Sequence, residues 1–294
     1  MGAVFTPNQV LGRTQTIGCA AVEITQRCNL DCTLCYLSEH SESVKDIPLE
    51  AVLARLDEIV AHYGSGAHVQ ISGGDPTLRK HTELIAIVRY AGSIGLHPAL
   101  FTNGIAAPRR LLKRLAAAGL CDVAFHVDTT QQRHGYKTET DLNALRLKYM
   151  ERTRGLGLMV IFNTTVHAGN LMDVPMLVEF FARHADLVGF ASLLCRPRWW
   201  YRSLVYLAAF IWRTRRDLLN GGRVHKLSLF IHDFMNANAL DQERIDACSF
   251  MVMTADGPVS MCAHNARRDE YILKPFTITR RDCVIPVKSA TRSI

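Results

Sequence analysis

Three cysteines with the spacing C-x3-C-x2-C, Cys28, Cys32 and Cys35, are the residues of this chain best suited to chemistry. They directly follow an apolar, strand-like segment at residues 20–25. Cysteine thiolates hold iron–sulfur clusters, and a four-iron cube normally takes four of them. Three thiolates on one loop therefore predict a 4Fe-4S cluster with one iron left without a protein ligand. An open iron of this kind is a reaction site.

Other uses of this cysteine loop fit the sequence less well. A structural zinc site would need a fourth Cys or His, and with His40 as that ligand the intervals are still not those of a zinc finger. A ferredoxin loop would need a fourth Cys followed by Pro. Disulfides are disfavoured because the nine Cys are an odd number and the N-terminus does not resemble a secretory segment.

A second motif follows the next strand-like segment, where Gly73 and Gly74 precede Asp75 and Pro76. Glycines at the end of a strand let a backbone approach a ligand closely, because no Cβ intervenes. Carbonyls at such a turn can accept hydrogen bonds from a bound ammonium. The acidic residue and the proline are also typical of a helix N-cap and of the first helical position, which predicts a helix over residues 77–90.

Together the two motifs resemble those of the radical S-adenosylmethionine (radical SAM) superfamily. The resemblance implies that the three cysteines hold a 4Fe-4S cluster, whose open iron binds the amino and carboxylate groups of S-adenosylmethionine (SAM). It assigns the amino group to the turn at residues 73–76. It also implies that an electron from the cluster cleaves SAM and that the resulting 5'-deoxyadenosyl radical removes hydrogen from a substrate carbon. The chain departs from the family pattern at Asp75, where the usual residue is Glu.

Strand-like and helix-like segments alternate along the chain, which predicts an α/β fold with a parallel sheet. The strand-like runs span residues 20–25, 68–72, 98–102, 122–128, 158–166 and 187–193. The helix-like stretches span residues 49–63, 78–91, 108–118, 141–154 and 174–184. We expect a partial TIM-like (β/α)6 barrel over residues 1–195, the fold that the resemblance also implies. An Arg- and Trp-rich helical linker at 196–223 and a small C-terminal extension with a β-hairpin at 224–294 would follow.

Polar residues at the carboxyl ends of these strands are further candidates, because the chemistry of such barrels lies at that end. Alternation along the fourth strand points His126 and Asp128 into the barrel mouth. The resemblance implies SAM contacts at the ends of strands four and five, and hence at Asp128, Asn163 and Thr165. The other predicted SAM contacts are Tyr36, Ser72, Thr102 and Asn103. Each of these residues could instead cap a helix or satisfy a loop amide.

Cysteines recur near the C-terminus, around a hairpin turn predicted at residues 256–257. Cys248 is expected on one arm of the hairpin and Cys262 on the other. This pattern resembles the start of the SPASM or twitch extension of radical SAM enzymes, which implies a candidate auxiliary iron–sulfur cluster. The further ligands would be Cys283 and, in the fourth position, Cys195 or His264. Two buried structural cysteines are the alternative interpretation.

Composition limits the class of protein. With 294 residues, 48% of them apolar, the chain can bury one large core, and no apolar run reaches the roughly 18 residues that a membrane span needs. We therefore expect a cytoplasmic protein. Its net charge of +7 allows anionic partners without requiring them. Nucleic acid is disfavoured because the sequence shows no RNA-binding module and no Lys-rich tract.

The positive charge is concentrated between Arg196 and Arg223, where Arg residues are interleaved with aromatic ones. Residues 199–216 are predicted to form one helix that closes the barrel. Alternatively, this helix would lie at a membrane surface, guard the entry of a lipid substrate or stack on single-stranded nucleic acid.

The two motifs and the barrel pattern together predict a radical SAM enzyme. The expected partners are a reductase, flavodoxin or ferredoxin as electron donor, and a small-molecule, peptide or lipid substrate. The alternatives are a nucleic-acid-modifying enzyme of the same family and a non-catalytic iron–sulfur electron carrier. A carrier would need neither the Gly-Gly-Asp-Pro turn nor an open iron.

Overall fold

The computed structural model of the chain describes residues 17–184 and 235–273. Several predicted features lie outside the described residues. They are the sixth strand at residues 187–193, the Arg- and Trp-rich segment at 196–223, and the candidate ligands Cys195 and Cys283.

Seven strands of the described residues form one sheet. The strands are β1 (Cys19–Thr25), β2 (His68–Gly73), β3 (His97–Thr102), β4 (Asp122–His126), β5 (Met159–Asn163), β6 (Phe250–Thr254) and β7 (Gly257–Ser260). The helices are α1 (Leu49–Tyr63), α2 (His81–Ser93), α3 (Arg109–Ala117), α4 (Glu139–Thr153), α5 (Val174–His184), α6 (Gln242–Asp246), α7 (Met261–Ala266) and α8 (Arg268–Ile272). None of these helices is long and apolar enough to cross a lipid bilayer.

The strand order is β5-β4-β3-β2-β1-β6-β7. Strands β1 to β5 are parallel neighbours in chain order, and β6 is parallel to β1, while β7 returns antiparallel to β6. Helices separate the first five strands along the chain. The predicted α/β fold with a partial TIM-like barrel is therefore confirmed.

The core lies between the helices and the apolar face of the sheet. Alternate residues of the central strands, such as Val22, Ile24 and Ile71, are fully buried with helix residues such as Leu56 and Leu84. Burying a side chain of this size contributes roughly 1.5–3 kcal/mol. Because side chains alternate along a strand, the residues between them face the other way, and this second face carries the polar residues of the site.

The helix predicted over residues 77–90 begins later than expected. Asp75 does cap a helical turn, but that turn is a separate 3-10 helix at Pro76–Leu78, and α2 begins only after it. The backbone between them is extended at Arg79, with a ψ of 157°. This conformation turns the buried Arg79 side chain back to the sheet, where it donates to the carbonyl of Ile24 at 2.7 Å.

The predicted β-hairpin forms and joins the main sheet. Cys19 of β1 lies opposite Phe250 of β6, and Ala21 lies opposite Val252. The hairpin turn ends at Gly257, whose φ of +102° suits a residue without a Cβ. The described part of the C-terminal segment therefore covers the edge of β1 as part of the main sheet.

Candidate functional site

The loop that carries the three cysteines lies across the carboxyl ends of β3 and β4. Asn103, directly after β3, donates from its side chain to Asn29 at 2.6 Å, and its Nδ2 lies 3.9 Å from the sulfur of Cys28. Thr33 donates its backbone N–H to the carbonyl of Thr130, after β4, at 3.0 Å. The cysteines thus lie at the end of the sheet where TIM-like barrels carry their active sites.

The chemistry of the three thiols suits a shared iron–sulfur cluster. Burial, followed by the charges of Cys35 and Cys28, raises the pKa of Cys32 to about 12. Burial likewise raises the pKa of Cys28. Neighbouring thiolates need a positive centre to be ionised together, and bound iron supplies one. The positive charge of the Arg133 guanidinium, like that of bound iron, favours the ionised thiolate, because it lowers the pKa of Cys32.

The surroundings of one of the sulfurs fit a cluster as well. The backbone N–H of Leu37 donates to the sulfur of Cys35 at 3.4 Å, and hydrogen bonds of this kind tune cluster potentials. Within residues 17–184 and 235–273, no three His, Cys, Asp or Glu side chains are arranged to hold a single metal ion.

The two glycines of the second motif bring the end of β2 against the start of the cysteine loop. Gly73 has a φ of +122°, and a Cβ added there would overlap the carbonyl oxygen of Thr25. A Cβ on Gly74 would overlap the carbonyl oxygen of Arg27. Backbone hydrogen bonds cross this contact, from Gly74 to Thr25 at 2.9 Å and from Asp75 to Arg27 at 2.7 Å. In the structure these glycines allow two segments of the chain to approach each other closely, and the predicted approach to a ligand stays a prediction.

Tyr36 joins the cysteine loop to the same turn. It directly follows the third cysteine, and its hydroxyl donates to the carbonyl oxygen of Gly73. The position of the loop and that of the turn are therefore set together.

The carboxylate of Asp75 is fully buried and accepts hydrogen bonds on both oxygens. Its Oδ1 accepts from the backbone N–H and the hydroxyl of Thr77, at 3.0 and 2.5 Å. Its Oδ2 accepts from the hydroxyl of Thr102 and the backbone N–H of Asn103, each at 2.9 Å. The side chain thus ties the turn after β2 to the end of β3.

The carboxylate of Asp128 repeats this arrangement between β4 and β5. Its Oδ1 accepts from the backbone N–H and the hydroxyl of Thr130, at 3.0 and 2.5 Å. Its Oδ2 accepts from the backbone N–H of Thr165 at 2.6 Å and lies 2.7 Å from Nε2 of His126. Burial acts to raise the pKa of Asp128, but the hydrogen bonds and the charge of His126 outweigh it, so the pKa lies below its usual range.

His126 is the more accessible member of this pair. Its side chain is one-third exposed, and its Nε2 also lies 3.2 Å from the hydroxyl of Thr165. The backbone N–H of Val127 donates to the carbonyl of Asn163 at 3.1 Å. Strands β4 and β5 end at His126 and Asn163, earlier than predicted, and the residues that follow them make these bonds.

The predicted SAM-contacting residues are gathered at the carboxyl end of the sheet. They are Tyr36, Ser72, Gly73, Gly74, Asp75, Pro76, Thr102, Asn103, Asp128, Asn163 and Thr165. Several of them, including Asp75, Thr102 and Asp128, already have protein partners for their side chains.

The sequence predicts one of the two C-terminal cysteines on each arm of the hairpin. This prediction is wrong, because both cysteines lie just beyond the arms. Cys248 precedes β6, and Cys262 lies in α7 after β7. Because the hairpin is antiparallel, with Met251 opposite Ser260, both cysteines return to its open end. That end lies beside Cys19, at the start of β1, while the cysteine loop follows the other end of β1. The length of this strand, roughly 20 Å, separates the two places.

Two arginines of the site were not predicted. Arg133 donates to the carbonyl of Asn103 at 2.6 Å and so supports the end of β3. Arg268 donates to Glu23 and Gln26, each at 2.7 Å. Arg133 lies only a few residues after the polar end of β4. A charged side chain so close to candidate site residues could have been recognised from the sequence as part of the site. Arg268 is 242 residues from Gln26 in sequence, so no local pattern links them.

Comparison with known proteins agrees with this geometry. A model of the Radical SAM superfamily matches residues 22–181, a range that contains both motifs. The PqqA peptide cyclase of Bradyrhizobium diazoefficiens is 31% identical over 164 residues, which cover 54% of this chain and 41% of that protein. The 7,8-dihydro-6-hydroxymethylpterin dimethyltransferase of Methanocaldococcus jannaschii is 26% identical over 175 residues, which cover 58% of this chain and 34% of that protein.

The fold has a counterpart among solved structures. The Streptococcus suis protein SuiB, bound to its precursor peptide SuiA, superposes with a TM-score of 0.53 and 14% identity over 85% of this chain and 60% of SuiB. The chain spans less than half the length of the two curated relatives named above. The family match covers more than half of the chain, and the chain therefore belongs to the radical SAM superfamily of enzymes.

Proposed function

We propose that this chain holds a 4Fe-4S cluster on Cys28, Cys32 and Cys35 and uses SAM to abstract hydrogen from a carbon of a peptide substrate. Membership of the superfamily implies the cluster and SAM. When bound, they supply the chemistry: an electron cleaves the carbon–sulfur bond of SAM, and the 5'-deoxyadenosyl radical removes the hydrogen. The observation that carries the proposal is the joint anchoring of the three thiols and the glycine turn at one end of the sheet.

The chain's own residues would bind and orient these groups. The backbone of the turn at Gly73 and Gly74 would hold the SAM amino group. His126, which is one-third exposed, lies at the same end of the sheet, where β4 ends. We assign Asp75 and Asp128 positioning roles, because protein groups occupy both oxygens of each carboxylate. The remaining predicted contacts, among them Ser72, Asn163 and Thr165, stay candidates for the ribose and carboxylate of SAM.

A peptide is the substrate class that the relatives favour. Six of them are named PqqA peptide cyclase, and each is 28–31% identical to somewhat more than half of this chain. A small-molecule substrate is the second candidate, because a pterin dimethyltransferase matches a stretch of similar length. The electron donor, whether a reductase, flavodoxin or ferredoxin, stays a prediction.

An auxiliary cluster near the C-terminus is a separate proposal. It is supported by the return of Cys248 and Cys262 to the same end of the hairpin. Iron and sulfide counting on anaerobically purified protein tests it. About four irons per chain would mean one cluster, and about eight would mean that these cysteines bind a second.

Cleavage of SAM by the reduced protein tests the proposed function. We expect the reconstituted wild type to form 5'-deoxyadenosine when dithionite and SAM are added, as measured by chromatography. Cys32→Ala should abolish this product, because the cluster loses one of its three ligands, while the circular dichroism of the apoprotein stays unchanged. Cys121→Ala, which removes a thiol outside the loop, is the matched control and should retain activity. Full cleavage by Cys32→Ala would refute the proposal.

The lipid hypothesis has its own test, because it depends on the Arg- and Trp-rich segment outside the described residues. Sedimentation with liposomes of the wild type and of a variant without the Trp199 and Trp200 side chains would measure it. Binding that the variant loses would favour a lipid substrate or membrane contact. Wild-type protein that stays in the supernatant would remove the reason for that hypothesis.

A further inference from the structure

Arg268, at the start of α8, lies beyond the stretch that the family model matches and yet contacts the cysteine loop. Its side chain is only 3% exposed. Its Nη2 donates to the carboxylate of Glu23 and to the side-chain oxygen of Gln26, each at 2.7 Å. Gln26 in turn donates to Glu23 at 2.8 Å. The guanidinium is thus held against the end of β1, at a residue only two positions before the first cysteine.

The same guanidinium lies over an aromatic ring of the cysteine loop. Its Cζ is 4.8 Å from the ring centroid of Tyr36, within the range of a cation–π contact. The hydroxyl of Tyr36 donates to the carbonyl of Gly73. An unbroken series of contacts therefore leads from the C-terminal segment, through Arg268 and Tyr36, to the glycine turn.

The hydrogen bonding of Arg268 is unusual for a purely structural ion pair. Its Nε and Nη1 are buried and have no hydrogen-bond partner among the residues that the structure describes. Buried N–H groups without an acceptor reduce stability, so native structures seldom keep them. Contact of the guanidinium with the face of Tyr36 accounts for this orientation, because the ring offers electron density in place of an oxygen acceptor.

We propose that Arg268 is a positioning residue for SAM, acting through Tyr36 on the glycine turn at the end of β2. This inference rests on the proposed function and adds that the C-terminal segment takes part in it. Arg268 holds the Tyr36 ring in place, and the ring holds the carbonyl of Gly73. Loss of the guanidinium would free the ring and the turn while leaving the three cysteine ligands intact.

Full-length protein reconstituted anaerobically tests the proposal by two separate measurements. The first is iron per chain, and the second is the dissociation constant of SAM, measured by equilibrium dialysis and by the change that SAM causes in the electron paramagnetic resonance spectrum of the reduced cluster. We expect Arg268→Met and Tyr36→Phe to keep the wild-type iron content and to weaken SAM binding about tenfold each. Their combination should weaken it no further than either alone, because they break the same series of contacts.

Two further variants separate positioning from stability. Arg267→Met removes the same charge from the exposed neighbouring residue and should leave SAM affinity unchanged. Arg268→Lys can still pair with Glu23 but lacks the planar group that covers the ring. We therefore expect it to recover the melting temperature lost in Arg268→Met without recovering SAM affinity.

The outcomes distinguish this inference from the proposed function. Wild-type protein that does not respond to SAM would refute the proposed function itself. A responsive wild type, with unchanged affinity in Tyr36→Phe and Arg268→Met, would overturn the inference alone. Recovery of both the melting temperature and the SAM affinity by Arg268→Lys would also overturn the inference, because an ordinary ion pair with Glu23 would then explain the whole effect of Arg268. If Arg268→Met does not retain iron, the Glu23→Gln/Arg268→Met double variant replaces it, because it removes both buried charges. Weaker SAM binding by this double variant would support the inference, and wild-type affinity would overturn it.

Discussion

At the scale of single residues, two buried aspartates perform the same task at neighbouring places. Asp75 and Asp128 each accept from the backbone N–H and hydroxyl of the threonine two positions later. Each also accepts from a backbone N–H after the next strand, at Asn103 and at Thr165. An aspartate is short enough to cap its own turn and still reach that strand. This geometry gives a physical reason for Asp75 where the family pattern has Glu.

Asp75→Asn tests this role. The amide would place N–H groups against the donors of Thr102 and Asn103, leaving buried groups unpaired, so we expect a loss of about 1–3 kcal/mol in the free energy of unfolding. Urea unfolding of the apoprotein measures it. Asp57→Asn, at an exposed residue of α1 that accepts one hydrogen bond from Tyr90, is the control and should change stability by less than about 0.5 kcal/mol. An equal effect of both substitutions would show that the buried carboxylate has no special role.

At the scale of elements, the contact between the end of β2 and the cysteine loop depends on the missing Cβ of the glycines. Gly73→Ala would put a methyl group against the Thr25 carbonyl at a φ of +122°. We expect the turn to shift away from the loop, with a loss of several kcal/mol in the free energy of unfolding and weaker iron incorporation. Gly92→Ala, in α2, where a Cβ meets open space, should instead be neutral or stabilising. Wild-type iron content and stability in Gly73→Ala would contradict the packing role.

The elements themselves were largely predictable, and their contacts were not. Apolar alternation and helical spacing predicted β1 to β5 and α1 to α5, because those patterns are local. The late start of α2 depends on Arg79 reaching the carbonyl of Ile24, a tertiary contact that the capping pattern at Asp75 does not reveal. The pairing of the hairpin with β1 also escaped prediction, since strand partners distant in sequence leave no periodic signal. The same holds for the contact of Arg268 with the cysteine loop.

At the scale of the whole molecule, the buried carboxylates at the two ends of the sheet differ in their hydrogen bonding. At the carboxyl end, Asp75 and Asp128 have donors on both oxygens. At the opposite end, Asp122 begins β4 almost fully buried, and its Oδ1 has no hydrogen-bond partner within residues 17–184 and 235–273. Its Oδ2 is 3.8 Å from Nδ1 of His68. Burial therefore raises the pKa of Asp122 to about 6. The end of the sheet away from the cysteine loop thus carries an electrostatic cost that the other end avoids.

Asp122 should give the folded protein a pH dependence that a single substitution removes. An aspartate in the unfolded chain has a pKa near 3.9, so between about pH 4 and 6 the folded state binds more protons than the unfolded state. Its contribution to stability is full below about pH 4 and is lost as the pH rises through 6. A pKa raised by about two corresponds to roughly 3 kcal/mol, and part of this is offset by local relaxation.

We therefore expect Asp122→Asn, which is neutral at every pH, to be more stable than the wild type by about 1–3 kcal/mol at pH 8 and within about 0.5 kcal/mol of it at pH 4. Urea unfolding of the two apoproteins across this range measures the difference. His68→Gln is the control for the neighbouring imidazole, because burial lowers the pKa of His68. This variant should still lose stability as the pH rises through 6, because it keeps Asp122. Parallel pH profiles for the wild type and Asp122→Asn would show instead that water or local movement solvates this carboxylate, and that its end of the sheet is more open than its burial indicates.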